Sequence, residues 1–450
     1  MNNDPDNLSA SPNNHTESAA MINRFGPVSP GERIMEIDVL RGVALLGILI
    51  INIDFFALPG AILFDPRISG GFEGASFLVW KIDAVFFLQK MMSLFSMLFG
   101  AGIILIAERI EAAGKSPGKI FYRRTLWLLV LGLIHGYLIW VGDILFNYAV
   151  CALLLFLFRR CSPRLLIIMA VVMFLIGGII MGGSGVMFGY LREEAHKAEQ
   201  TLAEGGTIAS YQEGMMASWH EIVRGFVPPP EEIEAEIEGY KGGYIDNFKT
   251  RLPDTVMMQT QALFFMMFWR VAALMFLGMA LMKLGIINGK RSIKFYAVLA
   301  VIGCAVGFPL TIYNLNSELK SGFDIVEMFT INVHISTIGN TLIALGYIGV
   351  VMLVCKLKLL KWLTRRLAAV GRMALTNYLM HSIICTTIFY GFGLGLFNEF
   401  NRFGLIWFVF GIWILQLIVS PVWLKYYRFG PAEWLWRWLT YWRKQPMKIS

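Results

Sequence analysis

The polar residues that interrupt long apolar runs are where this chain must do any chemistry. His135 stands eight residues before Asp143, across a turn at Gly142-Asp143. An imidazole oriented by a carboxylate is a general base or a nucleophile, whereas a lone buried histidine is an interhelical hydrogen bonder. Asp38, Arg41, Asn52 and Asp54 share the first apolar run. Arg41 and Asn52 are eleven positions apart, which on a helix puts them about 20° apart in angle and about 16 Å apart in depth. Such a polar stripe suits a water-lined passage or a cofactor channel, or equally an interfacial arginine plus one hydrogen-bonding asparagine. Lys90 and Arg270 lie deep in apolar sequence, where an unpaired charge costs several kcal/mol. Asn377 and His381 are one helical turn apart in a late apolar run, and His334 lies near the end of another. Lys90, Arg270, Asn377 and His381 are the candidates for lining a substrate path. No Ser-His-Asp order, HExxH, phosphate loop or dinucleotide fingerprint appears.

The elements that must position these residues follow from composition. Of 450 residues, 56% are apolar and 16% charged, against about 25% charged in soluble domains. A disordered chain, a disulfide scaffold and a cytosolic enzyme are thereby excluded. The apolar residues come in blocks of about 20, the length that crosses a bilayer. Ten blocks are expected as helices: 39–63, 84–106, 125–141, 144–158, 165–187, 260–282, 295–313, 330–355, 374–396 and 404–424. Loops on one side of such an array hold 27 Lys and Arg (Arg41 counted with the N-terminal tail), and short loops on the other hold 4. That bias marks the cytoplasmic side. The fold expected is all-α, a polytopic protein of the bacterial inner membrane with both termini cytoplasmic.

Five segments follow: a polar cytoplasmic tail (1–38), a five-helix membrane half (39–187), an extracytoplasmic acidic loop (188–258), a second five-helix half (259–424) and an interfacial cytoplasmic amphipathic helix (425–450). The loop holds 13 acidic and 6 basic residues, and its Glu231–Glu238 run reads as a short solvated helix. In the tail, Trp434, Trp438 and Tyr441 share a helical face flanked by basic residues, as in a helix lying in the headgroup layer. The five cysteines show no CxxC spacing and read as small buried hydrophobes, with no metal expected. The net charge of +8 reflects orientation toward anionic lipid, and no nucleic-acid partner is expected. An oligomer is compatible with the sequence.

Several strings resemble the YeiB-like membrane proteins, domain-of-unknown-function family 418. They are Asp38 to Asn52, Lys90 with Leu94 to Gly102, Arg270 to Leu281, Gly371 to Tyr378, and Phe429-Gly430-Pro431 through Glu433 to Arg437. The first helix of this family is similar to that of transmembrane acyltransferases, which pair an Arg with a His or Asn eleven positions later. The resemblance implies acyl-CoA as donor on the cytoplasmic side and an envelope or small-molecule acceptor outside. It implies that Arg41, with Asp38 beside it, meets the CoA phosphates and that Asn52 orients the thioester or acceptor. The heparan-type acyltransferases carry a His after helix one where this chain has Leu63. The base must then come from elsewhere, and His135 oriented by Asp143 is the candidate. A small-solute permease with Lys90 and Arg270 along its path, and a scaffold presenting the 188–258 loop, are the alternatives.

Overall fold

Backbone amides in hydrocarbon have no water to bond, so an apolar run must close its hydrogen bonds within itself. All ten expected blocks are accordingly helical. The structure, a computed structural model, describes residues 33–449, so most of the expected polar tail lies outside the described residues. Helix α1 (Met35–Ala57) leads through a short 3-10 turn to α2 (Gly74–Phe86), α3 (Lys90–Ala112), α4 (Pro117–Leu138), α5 (Leu145–Leu155) and α6 (Pro163–Ala203). Three helices, α7 (Ser210–Phe226), α8 (Pro230–Lys241) and α9 (Tyr244–Gln259), fill the hydrophilic middle. A π-turn at Leu263–Met267 enters α10 (Phe268–Lys283), followed by α11 (Ile293–Ser321), α12 (Val333–Lys356) and α13 (Lys361–Arg372). The chain ends in α14 (Ala374–Phe389), α15 (Arg402–Tyr426) and α16 (Pro431–Tyr441). Ser162, Ser292 and Asn401 cap α6, α11 and α15 through their side-chain oxygens, each satisfying an orphan N–H.

The protein is an all-α, multi-pass membrane protein. Among the described residues, seven stretches are long and apolar enough to cross a bilayer. The other three expected spans coincide with α4, which begins among Lys119, Arg123 and Arg124, and with two shorter apolar helices, Leu145–Phe158 and Ala374–Phe389. Two boundaries differ from expectation. The block at 84–106 is divided between α2 and α3, because Gln89 adopts a left-handed conformation (φ 64°) and turns the chain there. Helix α6 continues unbroken to Ala203. Its 41 residues make about 60 Å of helix, twice the hydrocarbon thickness. The polar half beyond residue 188 therefore runs on as helix, tied by Arg192 to Asp324 at 2.7 Å.

Burial separates inner from outer helices. In α1, 67% of the most apolar window is buried by protein, against 17% in α6 and 28% in α11 and α15. The exposed apolar faces of those three, such as Ile168, Leu175, Ile179, Val301 and Trp407, are the lipid-facing surface. Helix α10 is an inner helix, packed against α3, α6 and α5. Its approach to α3 depends on glycine. A Cβ on Gly100 would stand 2.1 Å from Met275 O, and one on Gly278 would stand 1.9 Å from Met97 O. The same reciprocal contact joins α1 to α13, where Gly42 faces Leu367 O and Gly371 faces Asp38 O. Small residues let membrane helices pack backbone to backbone, where dispersion replaces the missing hydrophobic drive.

The C-terminal helix positions α14. Glu433 of α16 accepts the Leu375 and Thr376 N–H groups at 2.7 and 3.1 Å and the Thr376 hydroxyl at 2.5 Å. A carboxylate from a distant element thus caps α14, satisfying orphan donors and complementing the helix dipole. Desolvation pushes the Glu433 carboxyl above its usual range, against the hydrogen bonds that pull it down. Trp436 on the same helix donates to Arg124 O at 2.8 Å, with the Arg124 guanidinium 3.4 Å from its ring centre, which fixes α16 to α4.

Two outcomes are expected from this packing. Gly100→Ala or Gly278→Ala destabilises by about 1–3 kcal/mol through overpacking. Gly102→Ala, whose Cβ meets nothing within 4 Å, is neutral or stabilising by roughly 0.5–1 kcal/mol. Thermal unfolding midpoints of the three variants in detergent decide this, and equal midpoints would refute the close-contact reading. Glu433→Ala strips the cap of α14 and costs about 2 kcal/mol. Glu433→Gln keeps one accepting oxygen for the two N–H groups and should lose less. Limited proteolysis near residue 375 reads the difference.

Candidate functional site

His135 sits in the last turn of α4, 1% exposed. The chain then turns through Trp140 and Gly142 so that Asp143 comes back beside it, a return permitted by Gly132, whose Cβ would stand 2.4 Å from Phe146 N. Asp143 Oδ1 lies 2.8 Å from His135 Nδ1, and Oδ2 accepts the Phe146 N–H at 2.8 Å. Both carboxylate oxygens are thereby fixed, one on the histidine and one on the first turn of α5. The eight-residue separation across the turn is closed by direct contact.

The other ring nitrogen meets a residue that the sequence did not single out. His135 Nε2 lies 2.8 Å from Ser382 Oγ on α14, and Ser382 is fully buried. A carboxylate only accepts, so Nδ1–H donates to Asp143, and in the neutral imidazole the Nε2 lone pair then accepts the Ser382 hydroxyl proton. Asp143, His135 and Ser382 thus form one line of hydrogen bonds, although the sequence shows no Ser-His-Asp order. The signal available was a single serine in the apolar α14, next to His381. Tyr378, one turn before Ser382, donates to Gly142 O and accepts the Ile144 N–H, both at 3.3 Å, so α14 also grips the turn that carries Asp143.

Asn377 and His381 lie on a neighbouring face of α14 and bond to α13 and α15. Asn377 Nδ2 donates to Val370 O at 3.1 Å and to Ser420 Oγ at 3.0 Å. His381 Nε2 pairs with Gln416 Oε1 at 2.9 Å, and Gln416 returns an N–H to Asn377 O. These two residues hold helices together and make no hydrogen bond to His135. Lys90 and Arg270 are neighbours in the interior with no bond between them. Lys90, 2% exposed, donates to Ala84 O at 2.6 Å. Arg270 donates to Gln89 Oε1 and, at 3.3 Å, to Ser93 Oγ, and its Nε has no partner. Neither has a carboxylate within 4 Å among the described residues, and each lies in the other's field.

Arg41 pairs with Asp38 at 3.2 Å near the start of α1 and is partly exposed. Around this pair gather Arg33, Arg124, Arg372 and Arg437, each within electrostatic range of Asp38 or Arg41 or of another member of the group. The group is strongly cationic and draws on α1, α4, α13 and α16. Asn52 is half-buried five residues before the end of α1, and among the described residues its side chain makes no hydrogen bond. Asp54, expected with it, accepts Arg402 Nε at 3.0 Å, while Arg402 Nη1 reaches Pro66 O and Gly71 O. That is a buried ion pair bonded to the backbone as well. Leu63, which stands where the heparan-type enzymes have their histidine, is exposed in the 3-10 turn. Among the described residues no group of three His, Cys, Asp or Glu could hold a metal.

A family model described as "Protein of unknown function (DUF418)" matches residues 281–443. That span covers Asn377, Ser382 and the Glu433 cap, and stops short of His135. The chain is 31% identical to uncharacterized protein YeiB of Escherichia coli (strain K12), over 91% of this chain and 96% of that one. It is 29% identical to uncharacterized protein YxaH of Bacillus subtilis (strain 168), over 94% and 97%. An uncharacterized 39.9 kDa protein of Bacillus acidopullulyticus is 25% identical over 94% and 98%. No solved structure matches the chain. Full-length similarity at this level shows that the chain belongs to the YeiB/DUF418 family.

Proposed function

We propose that this protein transfers an acyl group from acyl-CoA on the cytoplasmic side of the bacterial inner membrane to an acceptor on the other side. The reading assigns ten crossings, both termini cytoplasmic, with 188–258 outside. The observation that carries it is the Asp143–His135 pair, a buried imidazole whose tautomer is held by a fixed carboxylate and whose other nitrogen is a free base toward a hydroxyl. General-base catalysis of acyl transfer requires that arrangement.

The arginine group around Arg41 supports the same reading from the opposite end. Guanidinium groups bind phosphates through paired, charge-assisted hydrogen bonds. Arg124, in that group, precedes His135 by eleven residues on α4, about 16 Å along the helix. Arg41 and Asn52 repeat the interval on α1. A nucleotide held among the arginines would deliver the thioester of its extended pantetheine arm to the depth of Asn52 and His135. Asn52, with its amide uncommitted, is placed to orient the thioester or the acceptor.

A permease is the second reading, favoured by Lys90 and Arg270, two buried cations with no carboxylate within 4 Å among the described residues, which would attract an anionic solute. The two readings differ in turnover. Purified protein in lipid should release CoA from labelled acyl-CoA, and His135→Gln should lower the rate at least ~100-fold. Arg41→Ala should raise KM for acyl-CoA or abolish release. No release at any acyl chain length tested, together with solute flux in vesicles that Arg270→Ala removes, would establish the permease instead.

A further inference from the structure

A serine or threonine inside a helix ordinarily gives its hydroxyl to the carbonyl one turn back. Ser93, Ser96, Ser184 and Thr341 all do so, at 2.7 to 2.9 Å. Ser382 makes no such bond among the described residues, and its Oγ is directed across the helix interface to His135 Nε2. That nitrogen is the one left basic by the Asp143 contact. An acceptor alcohol or amine cannot reach the lone pair without displacing Ser382, so the base is committed to this hydroxyl.

We propose that Ser382 is the nucleophile of a two-step transfer and carries the acyl group as an ester between donor and acceptor. The proposal rests on the acyl-transfer reading and deepens it. In the first step Ser382 Oγ attacks the thioester carbonyl carbon as its proton passes to His135 Nε2. The C–S bond then breaks, and the departing thiolate takes the proton from His135. The acyl group is left on Oγ, and the imidazolium is stabilised throughout by Asp143. In the second step an acceptor hydroxyl or amine attacks the ester carbonyl and gives its proton to His135. The bond from the acyl carbon to Oγ breaks, and Ser382 recovers its proton from Nε2. An ester held at this depth lets CoA leave toward the cytoplasm before the acceptor enters from outside, so the two substrates never share the site.

Two buried N–H donors without protein partners flank the histidine. Trp140 Nε1 belongs to a ring 6.4 Å from the His135 ring, and Gln259 Nε2 abuts Gly136, where a Cβ would stand 2.4 Å from it and 3.5 Å from Asp143 Cβ. They are the donors on hand for the developing oxyanion. Because Ser382 is enclosed, loading requires α14 to part from the α4–α5 turn. Apart from the His135 contact, the hydrogen bonds of Tyr378 across this seam are both 3.3 Å, long enough to yield.

The test uses the full chain in lipid nanodiscs, with labelled acyl-CoA quenched in acid and, separately, a fluorophosphonate serine probe. Peptide mass spectrometry should find the acyl mass on Ser382, and the probe should modify the same residue. Both signals should fall at least 100-fold in His135→Gln. Ser382→Ala should lose adduct and CoA release together, whereas Ser382→Cys should keep a thioester adduct at that position, which separates lost chemistry from lost folding. CoA release without any adduct, undiminished in Ser382→Ala, overturns the proposal and leaves direct acyl transfer standing. If wild-type protein releases no CoA, the probe decides alone. Modification of Ser382 then upholds the nucleophile while acyl-CoA falls as donor, and its absence overturns the nucleophile too.

Discussion

A polar group inside a bilayer must find its partner in the protein, because hydrocarbon offers none and an unsatisfied group costs several kcal/mol. Nearly every feature of this molecule answers that constraint. Arg402 is enclosed by Asp54 and two backbone carbonyls. His381, Gln416, Asn377 and Ser420 bond to one another between α14 and α15. Asp143 divides its two oxygens between a histidine and a helix start. Each network joins elements distant in sequence, and together they fix how the helices of the second half sit on those of the first.

Packing then makes those networks exact. Where glycines of α3 and α10, and of α1 and α13, meet backbone to backbone, the helices cannot slide or rotate without losing contact along the whole crossing. The Glu433 cap acts on α14 in the same sense along its axis. Ser382 is seven residues from Leu375, about 10 Å along the helix from the cap, so a shift at the C-terminal helix moves the hydroxyl relative to His135. A hydrogen bond of 2.8 Å tolerates little of that. The C-terminal helix, which is not among the long apolar stretches, therefore bears on the geometry at His135.

How much of this could be read in the sequence follows from the range of each signal. Apolar runs are local, and seven of the expected spans correspond to helical stretches long and apolar enough to cross a bilayer among the described residues. The Glu231–Glu238 run, too, lies on a helix. The break at Gln89 was not legible, because its left-handed turn is held by a contact from its side chain to Arg270, 181 residues away. Nor was the extension of α6, since polar sequence in a helix continuing out of the bilayer resembles polar sequence in a loop. At the site, His135 and Asp143 were recoverable because one turn joins them. Ser382 is 247 residues from His135, and nothing in α14 distinguishes it from a serine bonded to its own helix. Asn377 and His381 attracted attention by residue type, yet their bonds run to α13 and α15.

Completeness of bonding bears on which polar groups are available for chemistry. Arg402 bonds through Nε and Nη1 to a carboxylate and two carbonyls, and a group so engaged gains little by meeting a ligand. Arg270 keeps an unbonded Nε, Trp140 an unbonded Nε1 and Gln259 a wholly unbonded amide, all buried. Incomplete bonding alone does not mark a site, because Thr311, Asn332, Asn340 and His381 also keep unbonded polar atoms in the interior. What sets Trp140 and Gln259 apart is their place beside His135, whose two nitrogens are both engaged, one by a carboxylate that is itself fixed and one by a hydroxyl from another helix.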